Sequence, residues 1–158
     1  VPFNEGWGQF DASDAVKRIL SLDKTRTIDH ASGWHDQKIG EIKSLHVYYH
    51  AYRHKRDKLN RAVVLSEFGG YSFRLEGHCF NDRDFGYKRP KTQKKLLEAY
   101  ERLYYHEIIP AKEKGLCAAV YTQLTDVEDE LNGLLTYDRK VLKLPAENVR
   151  KINEMLKS

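Results

Sequence analysis

Short apolar runs alternate along this chain with amphipathic stretches, the pattern of βα units packed on a parallel sheet. Strands are predicted over residues 27–29, 44–49, 62–66 and 118–123. The clearest is 62–66, where Val63, Val64 and Leu65 follow one another without a polar break, as suits a strand covered on both faces. His46 and Tyr48 fall on one face of the strand before it, because strand side chains alternate. Ser13 is a good N-cap for a helix over 14–22, whose Ala15, Val16, Ile19 and Leu20 share a face. A longer helix is predicted over 91–114 from the spacing of Leu96, Leu97, Tyr100, Leu103, Tyr104 and Ile108, with Pro110 kinking or ending it early and Gly115 closing it. Pro145 opens a last helix over 146–156. Residues 71–90 and 124–144 read as long loops, and the connections 32–43 and 50–61 sit near the dozen-residue minimum for a parallel crossover.

The 158 residues fit one domain, 1–158, long enough to bury a core, and 41% hydrophobic with 32% charged residues reads as a soluble globular protein. No apolar run approaches the roughly 18 residues of a membrane span, so no membrane partner is expected. The basic clusters 53–61 and 88–95 have Asp57, Asp82, Asp84 and Glu98 in or near them and carry no nucleic-acid motif. A solvated helical face accounts for them, and no nucleic-acid partner is expected. Cys79 and Cys117 lie far apart without a CxxC spacing, so two reduced thiols are expected, Cys117 buried in a strand.

Two acidic residues stand out. Glu67 lies in Leu65-Ser66-Glu67-Phe68-Gly69-Gly70, after an apolar run and before a glycine pair that lets the backbone turn sharply. Glu5 follows Asn4 at the start of the chain, where nothing upstream separates a strand-end acid from a surface ion-pair partner. Two carboxylates delivered to one rim can divide the acid and nucleophile roles in breaking a glycosidic bond. Trp7 and Trp34 fall just past strand ends, where flat rings stack on sugar faces or pack under a loop. His46, His50 and His54 repeat every four residues, but the strand reading of 44–49 breaks that helical register and no acidic or cysteine ligand accompanies them. Neither a metal site nor a cofactor is expected.

Taken in order, Asn4-Glu5, Trp7-Gly8-Gln9, Ser32-Gly33-Trp34, Leu45-His46-Val47-Tyr48, Ser66-Glu67-Phe68-Gly69-Gly70, the segment 121–128, Asn132-Gly133-Leu134 and Tyr137-Asp138-Arg139 resemble glycoside hydrolase family 2. This is the family of β-galactosidases, β-glucuronidases and β-mannosidases. The resemblance implies an α/β fold, the C-terminal portion (about strands 5–8) of a TIM (β/α)8 barrel, and retaining hydrolysis of a terminal β-linked sugar. Carried over position by position, it makes Glu5 the general acid/base and Glu67 the nucleophile. Asn4 would bond the sugar 2-hydroxyl and Tyr48 would donate to Glu67, with Trp34, His46 and Gln123 as further substrate contacts and His30 beside them. Tyr121 and Gln123 occupy the region where the family usually has a tryptophan. Because the chain opens on Val1-Pro2-Phe3, it reads as a fragment of a longer chain whose N-terminal half of the barrel is missing. Alone it is expected to have little or no hydrolase activity. The alternative is a non-catalytic piece, either a self-associating half-barrel or a carbohydrate-binding unit.

Overall fold

Three short strands rich in β-branched and aliphatic residues form the sheet, and a layer of helices covers one face of it. The structure is a computed structural model that describes residues 1–5 and 7–157. Strands β1 (Ile42–Val47), β2 (Ala62–Gly69) and β3 (Ala118–Thr122) lie in the order β1-β2-β3, with both pairings parallel. The helices are α1 (Ala12–Leu22), α2 (Gln93–Leu103), the short α3 (Ile109–Lys112) and α4 (Ala146–Lys157). Val63, Leu65 and Phe68 of β2 meet Leu96, Tyr100 and Leu103 of α2, together with Tyr104, Ile108 and Ile152, in one buried cluster. Leu65 and Ile152 have no exposed surface at all, so burial at this layer is the main source of stability.

The sheet corrects the barrel expectation. The structure has a three-stranded parallel sheet with helices, not strands 5–8 of a TIM barrel. The predicted strand at 27–29 is absent as a ladder. Asp29 makes one antiparallel bridge to Gly40, and Ala31 one parallel bridge to Phe3. Around Ile28 the backbone finds its partners in Glu41: the Ile28 N–H donates to the Glu41 carboxylate, and the Glu41 N–H donates back to the Ile28 carbonyl. With those groups satisfied by a local turn, nothing is left to extend a strand. These single bridges tie the N-terminal segment to itself, and it meets the sheet through side chains, Glu5 and Trp34 against His46.

The central strand contains an extra residue. Leu45 pairs with Leu65, but the next residue, His46, pairs with Glu67, and on the other side Leu65 pairs with Ala119 while Phe68 pairs with Tyr121. Both neighbours therefore see β2 carry one residue too many between Leu65 and Phe68, which is a bulge. Without it, strict alternation would place Glu67 on the same face as Leu65, against the helices. With it, Phe68 takes the core position and Glu67 is left half-buried. Ser66 is held in the bulge by its hydroxyl, which donates to the Leu45 carbonyl and is bonded by the Ser44 hydroxyl.

Other boundaries shift for local reasons. The predicted continuous helix 91–114 is divided by a π-helical turn, Tyr104–Ile108, directly before Pro110. Proline has no N–H to donate and crowds the preceding turn, and a wider turn accommodates it. Helix α2 starts with Thr92, whose side chain accepts from the Lys95 N–H at 3.1 Å. Helix α1 is capped at Asp11, not Ser13, without a side-chain cap bond. Cys117, expected inside a strand, precedes β3 and is exposed. The two crossovers flanking β1 are tied by Arg61, whose guanidinium bonds both oxygens of Asp36 (2.8 and 2.6 Å) and Asp57 (2.9 Å at Nε). The long loop 124–144 folds around a fully buried Lys143, whose Nζ donates to Asp126 at 2.6 Å and to the Leu131 carbonyl at 2.9 Å.

Candidate functional site

At the C-terminal ends of β1 and β2, His46 and Glu67 stand opposite each other because the bulge puts them in register. Glu5 arrives from the N-terminal segment. Its N–H donates to the Ser32 hydroxyl oxygen at 3.2 Å, its carbonyl accepts from the Trp34 N–H at 3.3 Å, and its backbone has a positive φ of 55°. Oxygens of Glu5 and Glu67 and a ring nitrogen of His46 all lie within 4.8 Å of one another. The His46 ring is fully buried and its Nδ1 sits 3.2 Å from Glu67 and 3.5 Å from Glu5, while the two carboxylates keep 30% and 31% of their surface open. A buried imidazole thus backs two carboxylates that remain reachable.

Each carboxylate has one oxygen tied and one left free among the described residues. Glu67 Oε2 accepts from the Tyr48 hydroxyl at 2.6 Å, and Glu5 Oε1 accepts from Trp34 Nε1 at 3.3 Å. Tyr48 is almost wholly buried, and its hydroxyl also lies 2.9 Å from Thr122 Oγ1 at the end of β3. Burial raises the Tyr48 pKa well above the ordinary phenol value, and its bond to Glu67 adds to the shift. Tyr48 therefore remains a proton donor to Glu67 at any working pH. Its ring stacks on Tyr87 with centroids 3.7 Å apart and planes 4° off parallel. The Tyr87 phenol is pushed up to about 12, first by burial and then by Tyr49 and the negative charges of Glu5, Glu130 and Glu67.

Glycines let this layer close. Gly33 has a φ of +96°, and a Cβ there would come within 2.6 Å of His46 Nδ1. Gly69, at φ +87°, lies directly against the Tyr121 ring.

The remaining sequence-predicted residues fall nearby in different ways. Asn4 Oδ1 accepts from the Ser32 hydroxyl at 2.7 Å, which fixes the amide and leaves its NH2 to donate. Gln123 follows β3, and its Nε2 donates to Asn132 at 2.7 Å and to Glu130 at 3.2 Å. His30 is buried, its Nε2 accepting from the Gln37 N–H at 3.1 Å and lying 3.9 Å from Asp36. His46, His50 and His54 do not gather: His46 is on β1, and the Tyr52 hydroxyl bonds His54. Glu5, His46 and Glu67 form the one group of potential metal ligands found among the described residues, a combination that the histidine spacing did not suggest. Tyr87, Glu130 and Thr122 were not singled out from sequence. Tyr87 and Glu130 come from irregular segments without periodicity, and only the position of Thr122 beside Gln123 offered a signal. An open cleft of about 470 Å³, walled by Trp7, Trp34, His35 and Asp36, is lined by neither Glu5 nor Glu67. The more apolar groove, between Leu124, Leu142 and Val149, is lined by none of the site residues.

No protein-family model matches the chain, and no curated protein matches it. Among the described residues, no helix is long and apolar enough to cross a membrane.

Proposed function

We propose that this chain carries the acid/base and nucleophile of a retaining β-glycoside hydrolase of the family 2 type, acting on a terminal β-linked sugar. The observation that carries the reading is the approach of the Glu5 and Glu67 carboxylates to within 4.8 Å. Retaining enzymes hold their carboxyls about 5–5.5 Å apart, whereas inverting ones leave roughly 6.5–9.5 Å for a water.

In the first step the free oxygen of Glu67 attacks the anomeric carbon. The bond from that carbon to the glycosidic oxygen breaks, and Glu5 gives its proton to the departing oxygen. In the second step Glu5 takes a proton from water, the water oxygen attacks the anomeric carbon, and the Glu67 ester is released. Tyr48 aims Glu67 and limits its rotation, and Asn4 is free to bond a hydroxyl of the sugar. The test is hydrolysis of a panel of aryl β-glycosides with the stereochemistry of the first product followed by NMR. A β-configured first product supports the reading and an α-configured one defeats it; because the chain alone is expected to turn over little, absence of turnover counts against the reading where Glu67→Gln protein also binds none of the glycosides.

Two other readings have an observation behind them. The Glu5–His46–Glu67 group has the donor types for a divalent cation. Hydrolysis that is abolished by a chelator and restored by a metal would favour that chemistry over the two-carboxylate one. The outer edge of β3 is unpaired in the sheet and Val120 is 56% exposed, which favours a non-catalytic, self-associating role. Light scattering that finds a dimer with no turnover would favour it.

A further inference from the structure

A cavity of about 430 Å³ is lined by none of Glu5, His46 and Glu67, and its polar wall is mostly cationic. It is built from four places in the chain. Tyr49 and His50 follow β1, Tyr71 follows β2, Lys88 and Arg89 end the loop 71–90, and Arg102 belongs to α2, with Glu107 in the π-helical turn beyond it. The loop is held firmly here. Lys88 bridges to Tyr71, its carbonyl accepts from the Ser72 N–H at 2.8 Å, and its Nζ stands 5.4 Å from the centre of the buried Tyr71 ring. Burial, then the Glu107 charge, pushes the Tyr71 phenol up to about 12 while Arg102 pulls it back, so these three groups stand close together. Glu107 Oε2 is committed to the Tyr52 N–H at 2.6 Å, and Arg89 is paired with Asp84 at 2.7 Å. Among the described residues, no carboxylate lies within ion-pairing distance of Lys88 or Arg102. Two unpaired cations on the wall of one concave site favour an anion between them.

We propose that this cavity binds a small phosphate monoester that carries a ring, a sugar phosphate or a nucleotide, at a site separate from the carboxylate pair and independent of the hydrolase reading. A phosphate dianion matches the two unpaired cations, and the planar Arg102 guanidinium is shaped to donate to two of its oxygens at once. Glu107 keeps its other oxygen to accept from a hydroxyl of the kind that a sugar or ribose supplies. Tyr49, 72% exposed and braced edge-on by Tyr87 with centroids 5.3 Å apart, offers a flat face to the ring. The volume falls within the roughly 300–1,000 Å³ of small-ligand sites.

The test is calorimetric titration of the full chain with glucose-6-phosphate, AMP, inorganic phosphate, glucose and adenosine. It needs no turnover, so its outcome is separate from the fate of the hydrolase reading. One or both esters should bind saturably, and about tenfold or more tightly than inorganic phosphate or the matching unphosphorylated compound. The ester that binds more tightly identifies the source of the phosphate. Arg102→Ala and Lys88→Ala should each weaken ester binding about tenfold or more. Lys151→Ala removes the same charge from an exposed position outside the cavity and should change it less than about twofold. Tyr49→Ala should weaken the ester about 3- to 10-fold and leave inorganic phosphate unchanged. Tyr49, Lys88, Arg102 and Lys151 are all exposed, so each variant should fold, as circular dichroism checks. Three results overturn the proposal: no saturable binding of either ester, inorganic phosphate bound as tightly as both, or equal losses from Lys151→Ala and Arg102→Ala, which would mark a general charge effect.

Discussion

The two carboxylates reach the same point from regions of opposite character. Glu67 belongs to the central strand, with Leu65 and Phe68 beside it sealed against the helix layer and Tyr48 bonded to its oxygen. Glu5 belongs to a segment attached by isolated bridges, and a serine hydroxyl, a backbone N–H and an indole N–H hold it. The Glu67 position is thus fixed by packing, and the Glu5 position by a handful of polar contacts. This division suits the proposed chemistry: an attacking oxygen must meet one carbon, whereas an acid/base has to serve a leaving group in one step and water in the next.

The largest effect expected is at the packed position. Glu67→Gln should lower kcat on the order of 10⁴-fold or more, with sugar binding retained in a fluorescence titration. Glu5→Gln should lower it roughly 10²–10⁴-fold for an alkyl or sugar leaving group. For an activated aryl leaving group, which needs little protonation to depart, the glycosylation loss should be smaller. If both variants lost the same factor on both substrates, the division of roles would not stand. Packing can be tested without any substrate. Leu65→Ala should cost about 2–5 kcal/mol in urea unfolding, whereas Val16→Ala in α1, which buries little else, should cost about 1 kcal/mol. Equal costs would remove the contrast between the regions. Tyr48→Phe keeps the ring stacked on Tyr87 but deletes the O–H donated to Glu67, and kcat should fall about 10- to 100-fold. The smallest effect concerns Arg61. Its hydrogen bonds hold the Asp57 carboxyl far below, and that of Asp36 below, the ordinary carboxylate value of 3.8. Depressed folded-state values stabilise the protein above the unfolded-state value, and that contribution is lost as pH falls through the folded ones. The thermal midpoint should therefore decline below about pH 4, and Arg61→Leu should flatten that decline.

Much of the layer order was legible in the residues. The run Val63-Val64-Leu65 marked the central strand, and the leucine and tyrosine spacing after residue 92 marked the helix against it. The barrel was not there to be read: residues 27–29 had strand-like composition, but a side-chain bond from Glu41, thirteen residues on, satisfies the Ile28 N–H that a strand would have used. The meeting of Glu5, His46 and Glu67 could be anticipated only in part. Alternation correctly brought His46 and Tyr48 to the same side, both against Glu67, although β1 ends at Val47, yet the face taken by Glu67 depends on a bulge that leaves no local signature. Tyr87 was invisible because its contact with Tyr48 is made by an irregular loop whose course is fixed by tertiary bonds, among them Tyr87 N–H to the Gly70 carbonyl.

The uncounted residue in β2 has a consequence for engineering. Laying Leu65-Ser66-Glu67-Phe68 on an evenly paired strand would change no residue, yet strict alternation would turn the acid toward the helices and the phenylalanine away from them. Transplanting these side chains into another parallel scaffold would therefore fail if only their identities were copied. The irregular spacing must travel with them, since it is a property of chain length and not of any functional group.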